Sequence, residues 1–300
     1  MDVRRAFGLL GLTGLVGAMP LFLCSAPIRP PAHARPNAIA LTSVARALYT
    51  TPDLRALPDV TADVPVVQAQ PHPDCLVLRC VALTFDDGPG PYTTRLLGLL
   101  AAANVRATFF LIGESARDFP DQVRAEQAQG EEVGDHSWSH PQLTHLDDPQ
   151  VADQFNRTAD EIASLDGQRP TLIRPPYGAV DARVNSVLGD QGAPEILWSV
   201  DTLDWLHRNP DSVYERAMHD VRPGSIILMH DIHPTTVDAV PRLIDALKSQ
   251  GYTLVTVSQL FGGTLEPGKL YFGREKEWTE HNQPEQTPSP DPSIAAALTE

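Results

Sequence analysis

Short apolar runs alternate with segments of helical length through the middle of the chain. The runs are typical of buried strands because turn residues bound them and β-branched or aromatic side chains recur in them. They are VALTF (81–85), ATFFLI (107–112), EEVGD (131–135), TLIRP (171–175), EILWSV (195–200), SIILMH (225–230) and YTLVTV (252–257). The intervening helical segments are 93–103, 119–129, 148–165, 180–190, 210–221 and 235–249. This alternation predicts an α/β domain with a parallel sheet, either open and doubly wound or a short, incomplete barrel.

The N-terminal part of the chain has the pattern of a targeting segment. Arg4 and Arg5 precede an apolar stretch, and Ala32-His33-Ala34 offers a small-x-small cleavage pattern. Residues 1–34 are therefore predicted to be a signal peptide, exported by the general or the twin-arginine route, or an uncleaved N-terminal anchor.

The remaining flanks lack a sustained hydrophobic period. Residues 35–74 are rich in proline and alanine and are predicted to be a linker. Residues 266–300 lead into a Pro-, Gln- and Glu-rich stretch and are predicted to be a disordered tail. The folded domain is therefore expected over residues 75–265.

Composition narrows the class of partner. The chain has 300 residues, 42% hydrophobic content and a formal net charge of −15, so it can bury a sizeable core. A charge of this sign argues against a nucleic-acid binder, which needs basic stripes, and disfavours an anionic membrane surface. An uncharged or weakly charged substrate is easily accommodated.

Two cysteines remain if the leader is removed after Cys24. In an oxidising compartment Cys75 and Cys80 can form a disulfide beside the first strand, and the alternative is two unrelated buried thiols.

Polar clusters follow five of the predicted strands. They are DDG after the first, DHSWSH after the third, RPPYG at the end of the fourth, DTLDW after the fifth and HDIH at the end of the sixth. In parallel α/β folds the chemistry lies at the carboxyl ends of the strands. Five such clusters on one rim predict an active site there.

His136 and His140 are four residues apart, and on a helical turn this spacing would place both imidazoles on one face. Two histidines and a carboxylate form a recurrent zinc or iron(II) site. If the turn at Gly88-Pro89-Gly90 directs Asp86 and Asp87 to the rim, one carboxylate can bind the metal and the other can act as a base. The alternative is that Asp87 and Gly88 form only a turn.

Other rim residues suggest an acid and a counter-ion. Arg174 is the natural partner of one carboxylate, and the backbone at Tyr177 could bind an oxyanion. His230 should emerge at the rim, where Asp204 would fix its tautomer and raise its pKa. A structural hydrogen-bonding role for His230 is the alternative.

The sequence pattern gives no single role to three aromatic residues. Trp138 and Trp205 would either wall a sugar-sized cleft or pack in the core, and His233 lies on the same rim with no assigned role.

Taken in order, five motifs resemble those of the polysaccharide deacetylases, the NodB-like group also called carbohydrate esterase family four. The motifs are TFDDG (84–88), HSWSH (136–140), RPPYG (174–178), DTLDW (201–205) and LMH (228–230). The resemblance covers about residues 77 to 262 and implies a distorted (β/α)7 barrel.

The resemblance also implies a role for each matching residue. Asp87, His136 and His140 would hold one divalent metal, most often zinc in this family. Asp86 would be the general base.

The remaining implied roles concern positioning and the leaving group. Arg174 would orient the base, and the backbone N–H of Tyr177 would stabilise the oxyanion. His230, tuned by Asp204, would protonate the leaving amine, while Trp205 and Leu228 would form the pocket for the acetyl methyl group.

The implied function is metal-dependent removal of N-acetyl groups from a GlcNAc-containing polysaccharide such as peptidoglycan or chitin. An O-acetyl xylan esterase and a non-catalytic carbohydrate-binding protein are the alternatives. We expect a monomeric protein, secreted or associated with the cell envelope, with no nucleic-acid partner and with membrane contact only through an uncleaved N-terminal segment.

Overall fold

A computed structural model describes residues 73–274. The predicted signal or anchor (1–34), most of the predicted linker and the end of the predicted tail lie outside the described residues. The strands are β1 (Arg79–Asp86), β2 (Thr108–Leu111), β3 (Glu132–Asp135), β4 (Glu195–Ile196), β5 (Val200–Asp201), β6 (Ile226–His230), β7 (Tyr252–Val255) and β8 (Leu270–Tyr271). The helices are α1 (Thr93–Ala103), α2 (Gly113–Asp118), α3 (Pro120–Ala128), α4 (Asp148–Asp166), α5 (Ala182–Asp190), α6 (Asp204–His207), α7 (Pro210–Asp220), α8 (Pro234–Ser249) and α9 (Val257–Leu260).

Parallel pairing around β1 builds the wall of a distorted barrel. β1 pairs with β6, β2 and β7, while β2 pairs with β3 and β5 pairs with β6. A single residue, Ile173, bridges Asp135 at the end of β3 to Glu195 in β4. Because β4 and β5 lie in one short segment, this bridge completes the circuit back to β6 and β1.

Side chains along β1 alternate between two layers. Val81, Leu83 and Phe85 pack in the core cluster shared with α1 and α8. Ala82 belongs to a second cluster on the other side. With a side-chain period of two, Asp86 shares the face of Ala82. The strand that supplies much of the core thus ends with a buried carboxylate at the rim.

The structure adds the short helices α2, α6 and α9 to the predicted elements, and it differs from them elsewhere as well. TLIRP forms only the bridge at Ile173, since the two prolines after Arg174 have no N–H for a ladder. The run 195–200 divides into β4 and β5. The folded domain also continues past residue 265, because β8 pairs with β4 and so removes residues up to 274 from the predicted disordered tail.

No helix within residues 73–274 is both long enough and apolar enough to cross a membrane.

Candidate active site

The two adjacent carboxylates at the end of β1 reach the rim in different ways. Asp86 is the last residue of the strand and only 2% exposed. Asp87 has a φ of 70°, which breaks the strand and turns its side chain toward the rim. Gly88 follows because a Cβ there would lie 2.5 Å from Oδ1 of Asp231. On a regular strand the side chains of Asp86 and Asp87 would point to opposite faces. The backbone turn at Asp87 lets both carboxylates reach the rim.

The loop with the two histidines is not a helical turn, although their imidazoles do come together as the spacing on such a turn would have placed them. Ser137 and His140 both have positive φ angles, 70° and 55°. Side chains hold this backbone: Asp135 accepts a hydrogen bond from the N–H of Ser137, and Ser137 Oγ accepts one from the N–H of His140. Between them, the N–H groups of Trp138 and Ser139 donate to Oε1 of Gln154 on α4. An irregular, side-chain-braced loop therefore brings the imidazoles together.

Both imidazoles direct Nε2 at Asp87. His136 Nδ1 lies 2.7 Å from the carbonyl oxygen of Arg174, so it must carry the proton, which leaves Nε2 with a lone pair. Oδ1 of Asp87 is 3.5 Å from Nε2 of His136 and 3.4 Å from Nε2 of His140. The three ligand atoms lie within 4.8 Å of one another.

This donor set fits a divalent metal. Zinc bonds of about 2.1 Å at tetrahedral angles place two ligand atoms about 3.4 Å apart. Oδ1 of Asp87 is buried without a hydrogen-bond partner among the described residues. Burial lowers the pKa of His136 and of His140 to about 4, which keeps both rings neutral and able to bind a metal. Burial would raise the pKa of Asp87, but His140, His230 and His136 hold it at about 2.

Asp86 is paired with a fully buried arginine. The Arg174 guanidinium donates to Asp86 Oδ1 at 2.6 Å and to Thr84 Oγ1 at 2.8 Å. It also donates to two backbone carbonyls and lies 4.0 Å from the ring centroid of Phe110. Burial raises the pKa of the Asp86 carboxyl to about 6, although Arg174 opposes that rise. The result is a rigidly oriented carboxylate that can still accept a proton near neutral pH.

His230 and Asp204 form a second pair at the same rim, beside Asp87. His230 Nδ1 donates to Asp204 Oδ1 at 2.8 Å, and His230 Nε2 lies 4.0 Å from Asp87 Oδ2. Three further donors fix Asp204: its oxygens accept from the N–H groups of Trp205 and His230 and from Thr236 Oγ1. Burial would lower the pKa of His230, but Asp204, with Asp87 and Asp86, raises it to about 10. His230 is therefore a protonated imidazole at neutral pH.

The residues expected to contact substrate lie around these groups. Tyr177 is 42% exposed, has a φ of 61° and packs edge-on against His140 with 4.4 Å between ring centroids. Trp205 follows Asp204 in α6 and is half-buried. Leu228 is two residues before His230 in β6, so it shares the face of that strand on which His230 lies.

Two further aromatic residues have different surroundings. Trp138 is 7% exposed and packs between Gly113 and the Arg157 guanidinium, so it is part of the packing beside α2 and α4. His233 lies 6.1 Å from His230 between ring centroids and contacts Arg208. Outside the rim, the structure places the sulfur atoms of Cys75 and Cys80 in a disulfide.

Comparison with known proteins agrees with the motifs. The family model described as polysaccharide deacetylase matches residues 76–196. The solved structure of the T48 deacetylase with substrate is 43% identical with a TM-score of 0.64, covering 66% of this chain and 99% of that one. The chain belongs to the polysaccharide deacetylase family.

Two curated relatives of this chain act on peptidoglycan according to their names. The peptidoglycan-N-acetylglucosamine deacetylase of Listeria monocytogenes is 44% identical over 195 residues, covering 65% of this chain and 41% of that protein. The peptidoglycan-N-acetylmuramic acid deacetylase of Bacillus subtilis is 44% identical over 183 residues, covering 61% of this chain and 38% of that protein. The chain thus spans about two-fifths of the length of these relatives.

Sequence reasoning missed several residues that support this candidate site. Thr84 Oγ1 accepts a hydrogen bond from Arg174. The sequence signal for this contact was that Thr84 lies two residues before Asp86 and therefore on the same face of β1. Thr93 Oγ1 accepts from the N–H of Gly90 and donates to the buried Asp231, so both brace the turn after Asp87. No sequence pattern indicated this brace, because it joins the start of α1 to the loop after β6.

Proposed function

We propose that the protein is a metal-dependent deacetylase that hydrolyses N-acetyl groups of a GlcNAc-containing polysaccharide and releases acetate. The observation that carries this proposal is that two proton-transfer pairs adjoin one set of metal-binding side chains. Asp86 is held by Arg174, and its Oδ2 lies 3.7 Å from His136 Nε2. His230 is held by Asp204, and its Nε2 lies 4.0 Å from Asp87 Oδ2. Hydrolysis of an amide needs both a base for the attacking water and an acid for the leaving amine.

Asp87, His136 and His140 would hold the metal, and zinc is the metal that the neutral imidazoles and single carboxylate favour. When bound, zinc supplies a Lewis acid that polarises the acetyl carbonyl and acidifies water. The protein's own contribution is orientation: His136 is fixed by the carbonyl of Arg174, and His140 by the ring of Tyr177.

Asp86 is proposed as the general base. Its Oδ1 is occupied by Arg174 at 2.6 Å, which leaves Oδ2 to take a proton from the attacking water. Because Arg174 is itself held by Thr84 and two carbonyls, the carboxylate cannot rotate away. A pKa of about 6 suits a base that works near neutral pH.

His230 is proposed as the general acid. Asp204 accepts from Nδ1, so the proton on Nε2 faces the reaction centre and can pass to the leaving nitrogen. Trp205 and Leu228 are proposed to form the pocket for the acetyl methyl group. The N–H of Tyr177 is proposed to donate to the oxyanion.

The proposed substrate is peptidoglycan or a chitin-type oligosaccharide, outside the cytoplasm. Two observations support this choice: the names of the relatives, and an N-terminal pattern typical of export. The acidic net charge agrees with a carbohydrate partner and no nucleic acid. A secreted or envelope-associated monomer remains the expected form.

The test measures acetate and free amine together with zinc-loaded protein on peptidoglycan glycan, chitooligosaccharide and acetylated xylan. The proposal expects acetate and amine in equal amounts from at least one of the two N-acetyl substrates. Acetate from xylan alone, without new amine, would identify an O-acetyl esterase. Tight glycan binding with no acetate from any substrate would identify a carbohydrate-binding protein.

A further inference from the structure

Arg208 lies at the rim of the site in a constrained backbone conformation. It follows α6, the short helix that carries Asp204 and Trp205. The residues on either side of this helix, Leu203 and Arg208, have φ angles of 49° and 47°, a left-handed conformation that costs non-glycine residues about 1 kcal/mol or more each. Such strain is typical of functional segments and shows that the surrounding contacts fix where this loop points.

Hydrogen bonds hold the Arg208 guanidinium in place, and the carboxylates that act on its charge, Asp204 and Asp87, do so from beyond ion-pair distance. Its Nε donates to the carbonyl oxygen of Trp205 at 2.8 Å, and its NH1 donates to Nδ1 of His233. Among the described residues, no carboxylate lies within ion-pair distance of this half-buried guanidinium. Arg174 and Arg183, by contrast, are both paired with an aspartate. Arg208 is therefore an oriented cation with unused anion-binding capacity.

His233 serves as a neutral support for this cation. An arginine has no acceptor, so Nδ1 of His233 must accept and its ring proton must be on Nε2. Burial, together with Arg208, lowers the pKa of His233 to about 4, so the ring carries no charge at neutral pH. The ring centroid of His233 lies 6.1 Å from that of His230. The Arg208 guanidinium thus contacts the imidazole that neighbours the proposed general acid, His230.

We propose that Arg208, oriented by His233 and by the carbonyl of Trp205, binds a carboxylate of the substrate beside the reacting acetamide. The inference rests on the proposed function and names the substrate class further: a glycan whose reacting or neighbouring sugar carries an acid. A planar guanidinium recognises a carboxylate through paired hydrogen bonds. In peptidoglycan that carboxylate is either the lactyl group of muramic acid or an acid of the attached peptide.

The net charge of the chain makes a local cation necessary for such a substrate. At −15 the protein as a whole repels an anionic glycan, and the rim itself contributes Asp86 and Asp87. A fixed guanidinium that contacts the carboxylate of the substrate would offset this repulsion at the point of contact. It would therefore favour negatively charged over neutral substrates. Arg208 is in this sense a specificity-determining residue.

The test compares two GlcNAc–muramic acid disaccharides that differ only in the lactyl group, as free carboxylate or as carboxamide. Zinc-loaded wild-type protein is expected to have a kcat/KM about tenfold higher for the acid than for the amide. In Arg208→Gln this ratio should fall about tenfold, with Arg208→Lys in between because it keeps the charge but loses the planar fork. A third disaccharide, with a dipeptide on the lactyl group, distinguishes a peptide carboxylate from the lactyl one.

The matched control is Arg216→Gln, which removes the same charge from an arginine that also contacts a histidine, His207, at 3.0 Å on the surface. Its acid-to-amide ratio is expected to stay within about twofold of the wild type. Equal losses on acid and amide in Arg208→Gln would mean that Arg208 only supports α6, and would overturn the proposal. So would an unchanged ratio.

A binding measurement separates this inference from the proposed function. The dissociation constants of the acid and amide disaccharides are measured calorimetrically with zinc-loaded wild-type and Arg208→Gln protein. A tenfold selectivity for an acidic glycan that disappears in the variant supports the inference even if no acetate is released. Absence of selectivity in an active enzyme overturns the inference alone.

Discussion

Asp86 and Asp87 have the same side chain but opposite electrostatic surroundings. Asp86 is hydrogen-bonded to Arg174, whereas Oδ1 of Asp87 has no hydrogen-bond partner among the described residues and faces two imidazole nitrogens. A single change of backbone conformation, the φ of 70° at Asp87, produces this division. Substitution of Asp86 and substitution of Asp87 should therefore impair different properties of the protein.

Asp86→Asn removes the proposed base but leaves the three proposed metal-binding residues in place. We expect kcat to fall by about 10²–10⁴ because a positioned base contributes that much. Zinc affinity, measured by competition with a chromogenic chelator, should change little. Equal loss of zinc in Asp86→Asn and Asp87→Asn would contradict the separate roles.

His140→Ala removes one of the three proposed metal-binding groups. We expect zinc affinity to fall at least about tenfold, since even partners of the ligands commonly cost that much. His145→Ala is the matched control, because His145 is exposed and lies only five residues further along the chain. Zinc content determined by mass spectrometry of the purified variants provides the comparison, and a His140→Ala protein with full zinc would contradict the site.

Helix α3 buries a carboxylate that has no part in the proposed chemistry. Glu126 is fully buried, and neither of its oxygens has a hydrogen-bond partner among the described residues. Burial, with Asp231 and Glu131 nearby, raises the pKa of Glu126 well above its ordinary value of 4.5. The folded protein therefore binds this proton more tightly than the unfolded chain does.

That difference makes the free energy of unfolding fall as the pH rises above about 4.5. Glu126→Gln removes the titration, so the variant should be more stable than the wild type at pH 8, by about 1–3 kcal/mol, and similar at pH 4. Guanidinium denaturation at several pH values measures this. The control is Asp121→Asn, an exposed carboxylate of the same helix. An unchanged pH dependence in Glu126→Gln would show that Glu126 does not titrate in this range.

A disulfide joins Cys75, which precedes β1, to Cys80 in β1, five residues further along the chain. Closing so short a loop should stabilise the fold by about 2 kcal/mol, and Cys75→Ser should lose that amount in denaturant unfolding. Mass spectrometry after alkylation without reduction should detect no free thiol at either position. Two labelled cysteines in mature exported protein would contradict the pairing.

Secondary structure was predictable where an apolar pattern extended over the full length of a helix. The bounds of α1 match the predicted segment 93–103, and α4 begins at Asp148 as predicted for the segment 148–165. The fourth predicted strand does not form because its prolines have no N–H to donate to a β-ladder. Helix α6 was not predicted because four residues are too few to show a helical period. The loop from His136 to His140 was mispredicted because Asp135, Ser137 and the distant Gln154 determine its backbone.

Across the whole molecule, the carboxyl ends of parallel strands gather the predicted site. The barrel circuit brings Asp86 on β1, His136 after β3, Arg174 after Ile173 and His230 on β6 to one rim. The order of the motifs was sufficient to expect this, because parallel strands share one chemical end. Arg208 and Asp231 could not be expected from it, since their importance depends on three-dimensional contacts between loops distant in sequence.

Acetate release from a fully N-acetylated chitooligosaccharide tests the central claim most directly. Zinc-loaded protein should release acetate and an equal amount of free amine. Release should stop when a chelator removes the zinc and return when zinc is restored to the same sample. Undiminished release from metal-free protein would contradict the account. So would the absence of release both from this oligosaccharide and from peptidoglycan glycan, with protein shown to contain zinc and to bind them.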